Sequence, residues 1–266
     1  MNRRFQLVAI GVCSYLAWCS STPCVEAAIV DLTMPGSSGV IRGAIFEQFS
    51  SRSSPLGLVE PFVQQRPLDS QTISRAYNTT ADNVFDNGPS NAWNRSIALS
   101  EVRLVTREGV PYRQFLLEVD ENIGGGDEFI SVDEVQILVG GASNSDTELF
   151  SLSFPPRLAV GGTLVYQMDS AFDNSAVALN AALKAGNGAG DMLMLVPDAA
   201  FDGLPDTAVV TLYSELGSLG VDPPGFVGNF GVSGGFEEWS APIPEPSTLL
   251  LGALAAAVTM AVGRRY

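Results

Sequence analysis

From residue 96 onward the chain alternates short apolar runs with turn residues. Within Ile97 to Thr106, the stretch Glu101 to Thr106 alternates well between polar and apolar positions. Gln114 to Val119, Val135 to Val139, Thr163 to Met168, Met192 to Val196 and Ala208 to Tyr213 follow as apolar runs containing β-branched residues. Between them lie Arg107-Glu108-Gly109, Gly124-Gly125-Gly126-Asp127, Gly161-Gly162 and the glycine-rich residues 140–146 and 186–190. Period-two patterning bounded by turn residues predicts strands. Their number and spacing predict an all-β fold, an antiparallel β-sandwich or jelly roll. The best helical stretch is Ser175 to Lys184, with Asn174 or Ser175 as cap and Gly186 as stop, and it also reads as a strand edge and loop. Residues 33–92 are rich in Ser, Pro, Gly, Gln and Asn and predict long loops with a few short strands.

Both ends depart from this pattern. Arg3 and Arg4 precede a mostly apolar run of 14 residues, Phe5 to Trp18. That is short for a membrane span, and Val25 and Ala27 supply small residues at −3 and −1, so residues 1–27 read as a secretory signal helix cut between Ala27 and Ala28. Cys13, Cys19 and Cys24 all precede that cut, so the mature chain has no thiol chemistry. At the other end Pro244-Glu245-Pro246 precedes 17 uncharged residues, Ser247 to Gly263, closed by Arg264-Arg265. As a helix, residues 247–263 would be roughly 25 Å long, close to a hydrocarbon core, and no polar face interrupts them. They predict a transmembrane helix with its arginines on the cytoplasmic side. One domain, residues 28–242, remains, loop-rich over 33–92 and with a sandwich core over 96–240.

Composition narrows the chemistry. The chain has 14 Lys and Arg against 29 Asp and Glu, a net charge of −15, and no histidine. Catalytic triads or dyads with histidine and His-ligated metals are excluded. So acidic a chain is not built for nucleic acid, whose phosphates call for Lys and Arg. Setting aside Arg3, Arg4, Arg264, Arg265, Glu26 and Glu245 leaves the central domain with 10 basic and 27 acidic residues. Such a surface favours solubility and attracts divalent cations.

Asp120, Asn122 and Asp127 flank the triple glycine and are candidate calcium ligands, because Ca²⁺ takes six to eight oxygens. An ordinary acidic hairpin explains the same residues, and the spacing is not that of an EF-hand. Asp82 to Asn87 and Asp169 to Asn174 are similar oxygen-rich stretches. The glycines of residues 186–191 lack the Gly-Lys-Ser/Thr ending of a phosphate loop and precede a strand, so they read as a turn. A pair of carboxylates would suffice for a glycosidase, but no pair stands out. Trp93, Trp239 and the tyrosines could stack on sugar rings or fill a core.

The tail resembles the PEP-CTERM sorting signal of Gram-negative bacteria: Pro244-Glu245-Pro246, one apolar span, then Arg264-Arg265. The resemblance covers residues 244–266. It implies processing by exosortase, a membrane-embedded enzyme, after a transient stay in the inner membrane, followed by release or display at the cell surface, often beside exopolysaccharide. Phe115 to Asp120, Ile130 to Ile137, Gly188 to Met192 and Gly235 to Trp239 are similar to segments that recur in secreted proteins of this kind. Together these features predict an exported, non-enzymatic surface or matrix protein with a structural or adhesive role. A carbohydrate-binding module and a secreted glycosidase are the alternatives.

Overall fold

The computed structural model describes residues 28–49, 59–67, 71–87, 93–171, 173–183, 190–217, 219 and 229–242. The strands are β1 (Ile29–Asp31), β2 (Ser38–Ile41), β3 (Ala44–Gln48), β4 (Val59–Gln65), β5 (Ser74–Tyr77), β6 (Ile97–Ala98) and β7 (Leu104–Arg107). They continue with β8 (Val110–Glu118), β9 (Phe129–Val139), β10 (Thr163–Gln167), β11 (Ala176–Asn180), β12 (Met192–Pro197), β13 (Val209–Leu216) and β14 (Glu237–Pro242). Among the described residues they make two seven-stranded sheets. The first runs β1-β11-β9-β13-β5, with β10 on β9 and β6 on β13; the second runs β2-β3-β12-β8-β14-β4, with β7 on β8.

Alternate residues of both sheets meet in one apolar core. Ile130, Val135, Ile137 and Leu212 come from the first sheet, and Phe46, Phe115, Leu117, Met194 and Trp239 from the second. Burying each such side chain contributes about 1.5–3 kcal/mol before entropy is counted. A polar thread also crosses the core. Trp239 Nε1 donates to Ser214 Oγ (3.0 Å), which donates to Gln65 Oε1 (2.8 Å), linking β14, β13 and β4.

The expected class, an all-β antiparallel sandwich or jelly roll with terminal helices, needs correction. Among the described residues the architecture is mixed: β1 pairs with β11 in parallel, three 3₁₀ turns interrupt the strands (Leu99–Glu101, Ala181–Leu183, Asp198–Phe201), and the open strand paths do not close into a barrel. Among the described residues no helix is long and apolar enough to cross a membrane. A turn of three or four residues spans under about 8 Å, against roughly 30 Å of hydrocarbon. The expected transmembrane helix, the membrane as a partner through it, and the localisation that depended on a stay in the inner membrane are corrected on this finding. The signal helix over 1–27 and the span over 247–263 fall outside the described residues.

Of the two readings of residues 175–184, helix or strand edge and loop, the helical one gives way to a strand. Residues Ala176–Asn180 form β11, bonded to β1 on one side and β9 on the other, and only Ala181–Leu183 turns helically. Pairing with β1 over residues 176–178 and with β9 over residues 177–180 satisfies backbone groups on both sides, which outweighs helix propensity.

Candidate functional cleft

β9 carries the residues that build the site. Ile130 and Val132 face the core, and so do Val135, Ile137 and Val139. The parity changes between Val132 and Val135, so Asp133 and Glu134 occupy an irregularity. It appears in the ladder as a register shift: Glu215 lies opposite Glu134, but Leu216 lies opposite Val132. A bulge of this kind re-aims side chains. Here it sets acidic groups against the outer face of the first sheet.

On that face Glu134, Glu215 and Arg75 form one row across β9, β13 and β5, and Gln136, Tyr213 and Tyr77 form the next. Arg75 Nε donates to Glu215 Oε2 at 2.6 Å, and this bond to a carboxylate raises the arginine's pKa. A hairpin-like finger, residues 149–159, folds over the second row. Gln136 anchors it: Nε2 donates to Pro156 O (2.9 Å) and Oε1 accepts from Leu158 N (2.8 Å). Phe150 of the finger meets Tyr213 edge-on, with ring centroids 5.4 Å apart, and Phe85 touches both rings.

Two cavities open around the finger and meet at Asp169. The smaller, about 290 Å³, is lined by Arg75, Asp133, Glu134, Phe150, Asp169, Tyr213 and Glu215 among others. The larger, about 840 Å³, lies between the finger, β10 and the β2–β3 turn, and its walls include Arg42, Pro155, Arg157, Tyr166, Asp169 and Asp173. Apolar side chains stand beside it on the fingertip: Leu152 is fully exposed and Phe154 is 76% exposed.

Burial raises the Glu134 carboxyl to about 8, with the nearby Asp169 charge adding to the effect. Its oxygens accept from Met168 N (3.1 Å) and, at the limit of bonding, from Gln167 Nε2 (3.5 Å). Asp169 rises to about 6, again through burial, although Ser175 N donates to it at 2.8 Å and lowers it in part. Near pH 7 one acid is therefore mostly protonated and the other mostly charged. Such a pair can donate to one hydroxyl and accept from another, or exchange a proton with a bound group.

Of the oxygen-rich stretches singled out in the sequence, Asp169, Asp173 and Asn174 line these cavities, whereas the calcium candidates Asp120, Asn122 and Asp127 lie elsewhere. Asn122 Nδ2 donates to Ser233 O, and Asp127 O accepts from Ser233 Oγ at 3.1 Å. Asp120 is held through its backbone by Glu237 and Gly235. Among the described residues no three acidic side chains are placed to hold a metal ion. Trp239 is buried, while Trp93 is 47% exposed. Ala28 O accepts from Ala176 N (3.1 Å), so the chain joins the first sheet from the residue after the expected cut. Ala27, Pro244, Glu245, Pro246, Arg264 and Arg265 lie outside the described residues. Sequence reading missed Glu134 and Glu215; the signal for Glu134 was the broken alternation in Ile130-Ser131-Val132-Asp133-Glu134-Val135. Comparison with protein-family models, with curated proteins and with solved structures finds no match.

Proposed function

We propose that this is a non-enzymatic matrix protein with an adhesive role, carrying a sorting motif at Pro244-Glu245-Pro246, and that its β domain holds a polysaccharide chain in the cleft beneath the finger. One observation carries this reading: a cavity of about 840 Å³ whose wall brings the guanidinium groups of Arg42 and Arg157 and the carboxyl groups of Asp169 and Asp173 together with apolar side chains and one aromatic ring, Tyr166. Sugars present hydroxyls and apolar ring faces together, and they are bound by such mixtures of polar groups and flat side chains. Arg42 and Arg157 suit it further, because neither forms an ion pair among the described residues and both remain available to a ligand.

Affinity electrophoresis of the full chain in gels containing exopolysaccharide from the native host tests it. Retardation is expected, with at least a tenfold weaker effect in Arg42→Ala and Asp173→Ala, both at the rim. Unretarded migration of the wild type in every such gel would leave a purely structural role. A second reading has its own support: Glu134 near 8 and Asp169 near 6, on one lip, are the split acidities of an acid–base pair that hydrolyses glycosides. Release of reducing ends by the wild type but not by Glu134→Gln would favour that enzyme.

A further inference from the structure

A second acidic cluster lies away from the cleft, where the chain after β8, the start of β12 and the start of β14 meet. Asp120, Glu121, Asp191 and Glu237 come from these three places. Each is tied to a neighbouring segment. Val119 N donates to Asp191 Oδ2 (2.9 Å) and Asp120 N to Glu237 Oε2 (2.9 Å). Ser233 gives both its N–H (2.7 Å) and its hydroxyl (2.6 Å) to Glu121 Oε2. Gly235 N donates to Asp120 O at 2.6 Å.

This accounts for one oxygen of each glutamate. The other, Oε1, is buried in both without a donor. Glu237 is wholly buried and Glu121 is 6% exposed. Glu237 accepts from the backbone N–H of Asp120, the residue before Glu121, which sets the two acids beside each other, and neither makes an ion pair among the described residues. Two neighbouring carboxylates inside a protein disfavour carrying charge together, and a proton held by one makes it a donor that the other can accept from. A divalent cation would call for more ligands than two carboxylates, and among the described residues no group of three is assembled.

We propose that Glu121 and Glu237 share one proton, and that this proton latches β14 and residues 229–236 to the 119–128 loop in a clasp that loosens as pH rises. The surroundings agree. Burial raises both groups, and the charges of Asp120 and Asp191 raise Glu237 further. Among the described residues the neighbouring strands pair no cation with either acid. Gln65 of β4 lies opposite Glu237 and is uncharged. Glu118 of β8 lies opposite Glu238, which accepts from Gln64 (2.7 Å). Arg66 stands over the Phe236 ring, 5.5 Å from its centre. The sign follows from proton binding. An unfolded carboxyl loses its proton near pH 4.3, while the folded pair keeps one to higher pH. The latch is therefore complete in acid and is lost as pH rises through the pair's own ionisation.

Amide hydrogen exchange of the full chain between pH 5 and pH 9, corrected for the intrinsic rate, reads the clasp. Protection at Asp120, Ser233 and Gly235 should fall at least tenfold across that range. Glu237→Gln replaces the shared proton with a permanent N–H donor, so its protection should not vary with pH. Glu121→Gln should behave likewise and serves if the first variant fails to fold. Protection in the wild type that does not change with pH, or the same decline in a folded Gln variant, would overturn the proposal. So would a gain in protection on adding millimolar Ca²⁺ that Glu237→Gln abolishes, because a cation would then be the natural neutraliser.

Discussion

A carboxyl group set into a protein wall keeps its proton to higher pH because its charged form loses water. Glu134 is such a group, and its acidity near 8 makes a stability prediction. Between the ordinary carboxyl range and about pH 8 the folded chain binds a proton that the unfolded chain has released. Its stabilising effect is full in acid and drains away as pH rises, by up to about 1.4 kcal/mol per unit. Urea titrations at pH 5, 6, 7 and 8 should show that decline, and Glu134→Gln should flatten its share of it; an unchanged slope in the variant would remove Glu134 from this role. The residue was half legible in the sequence. The break in alternation at Asp133-Glu134 marks a bulge, but its partners Glu215 and Arg75 arrive through pairing with distant strands. The clasp was less legible still, since Asp120 and Glu237 are 117 positions apart.

Elements show where local pattern prevails and where it yields. The apolar runs at 114–119, 135–139, 163–168, 192–196 and 208–213 coincide with much of β8, β9, β10, β12 and β13. In each, an alternating or continuous apolar set has a core to face, so local and tertiary preference agree. Residues 97–106 read as one strand, yet a 3₁₀ turn at Leu99–Glu101 splits β6 from β7. There the Glu101 carboxylate accepts from Ala98 N (2.6 Å) and closes the turn, a local bond that competes with the ladder. Strand ends are fixed by backbone geometry too. Gly217 follows β13 at φ +81°, and a Cβ there would lie 2.1 Å from Thr72 O. Gly217→Ala should therefore cost at least about 1–3 kcal/mol, read as a lower urea midpoint with an unchanged slope. A neutral outcome would mean that the 72–74 backbone moves aside freely.

For the whole molecule the governing quantity is charge. A net −15 is an excess of like charge, and its self-repulsion opposes the compact state. Opposing this are five ion pairs among the described residues, such as Arg95 with Glu60 and Glu101. Most are partly or largely exposed and each is worth about 0–1 kcal/mol. Salt weakens both, but it relieves more repulsion than attraction in a chain with twice as many acids as bases. At 0.1 M the screening length is about 10 Å, short enough to separate surface carboxylates while leaving the buried Glu121–Glu237 pair nearly untouched. Raising NaCl from 10 to 150 mM at pH 7 should therefore raise Tm by about 2–4 °C, the shift of roughly 1 kcal/mol for a domain of this size. The increment should shrink toward pH 5, where Asp169 has joined Glu134 in taking up a proton. Scanning calorimetry at the two salt levels and two pH values decides it. A Tm that falls with salt would mean that the arginine pairs, and not the excess of acid, set the electrostatics of the fold.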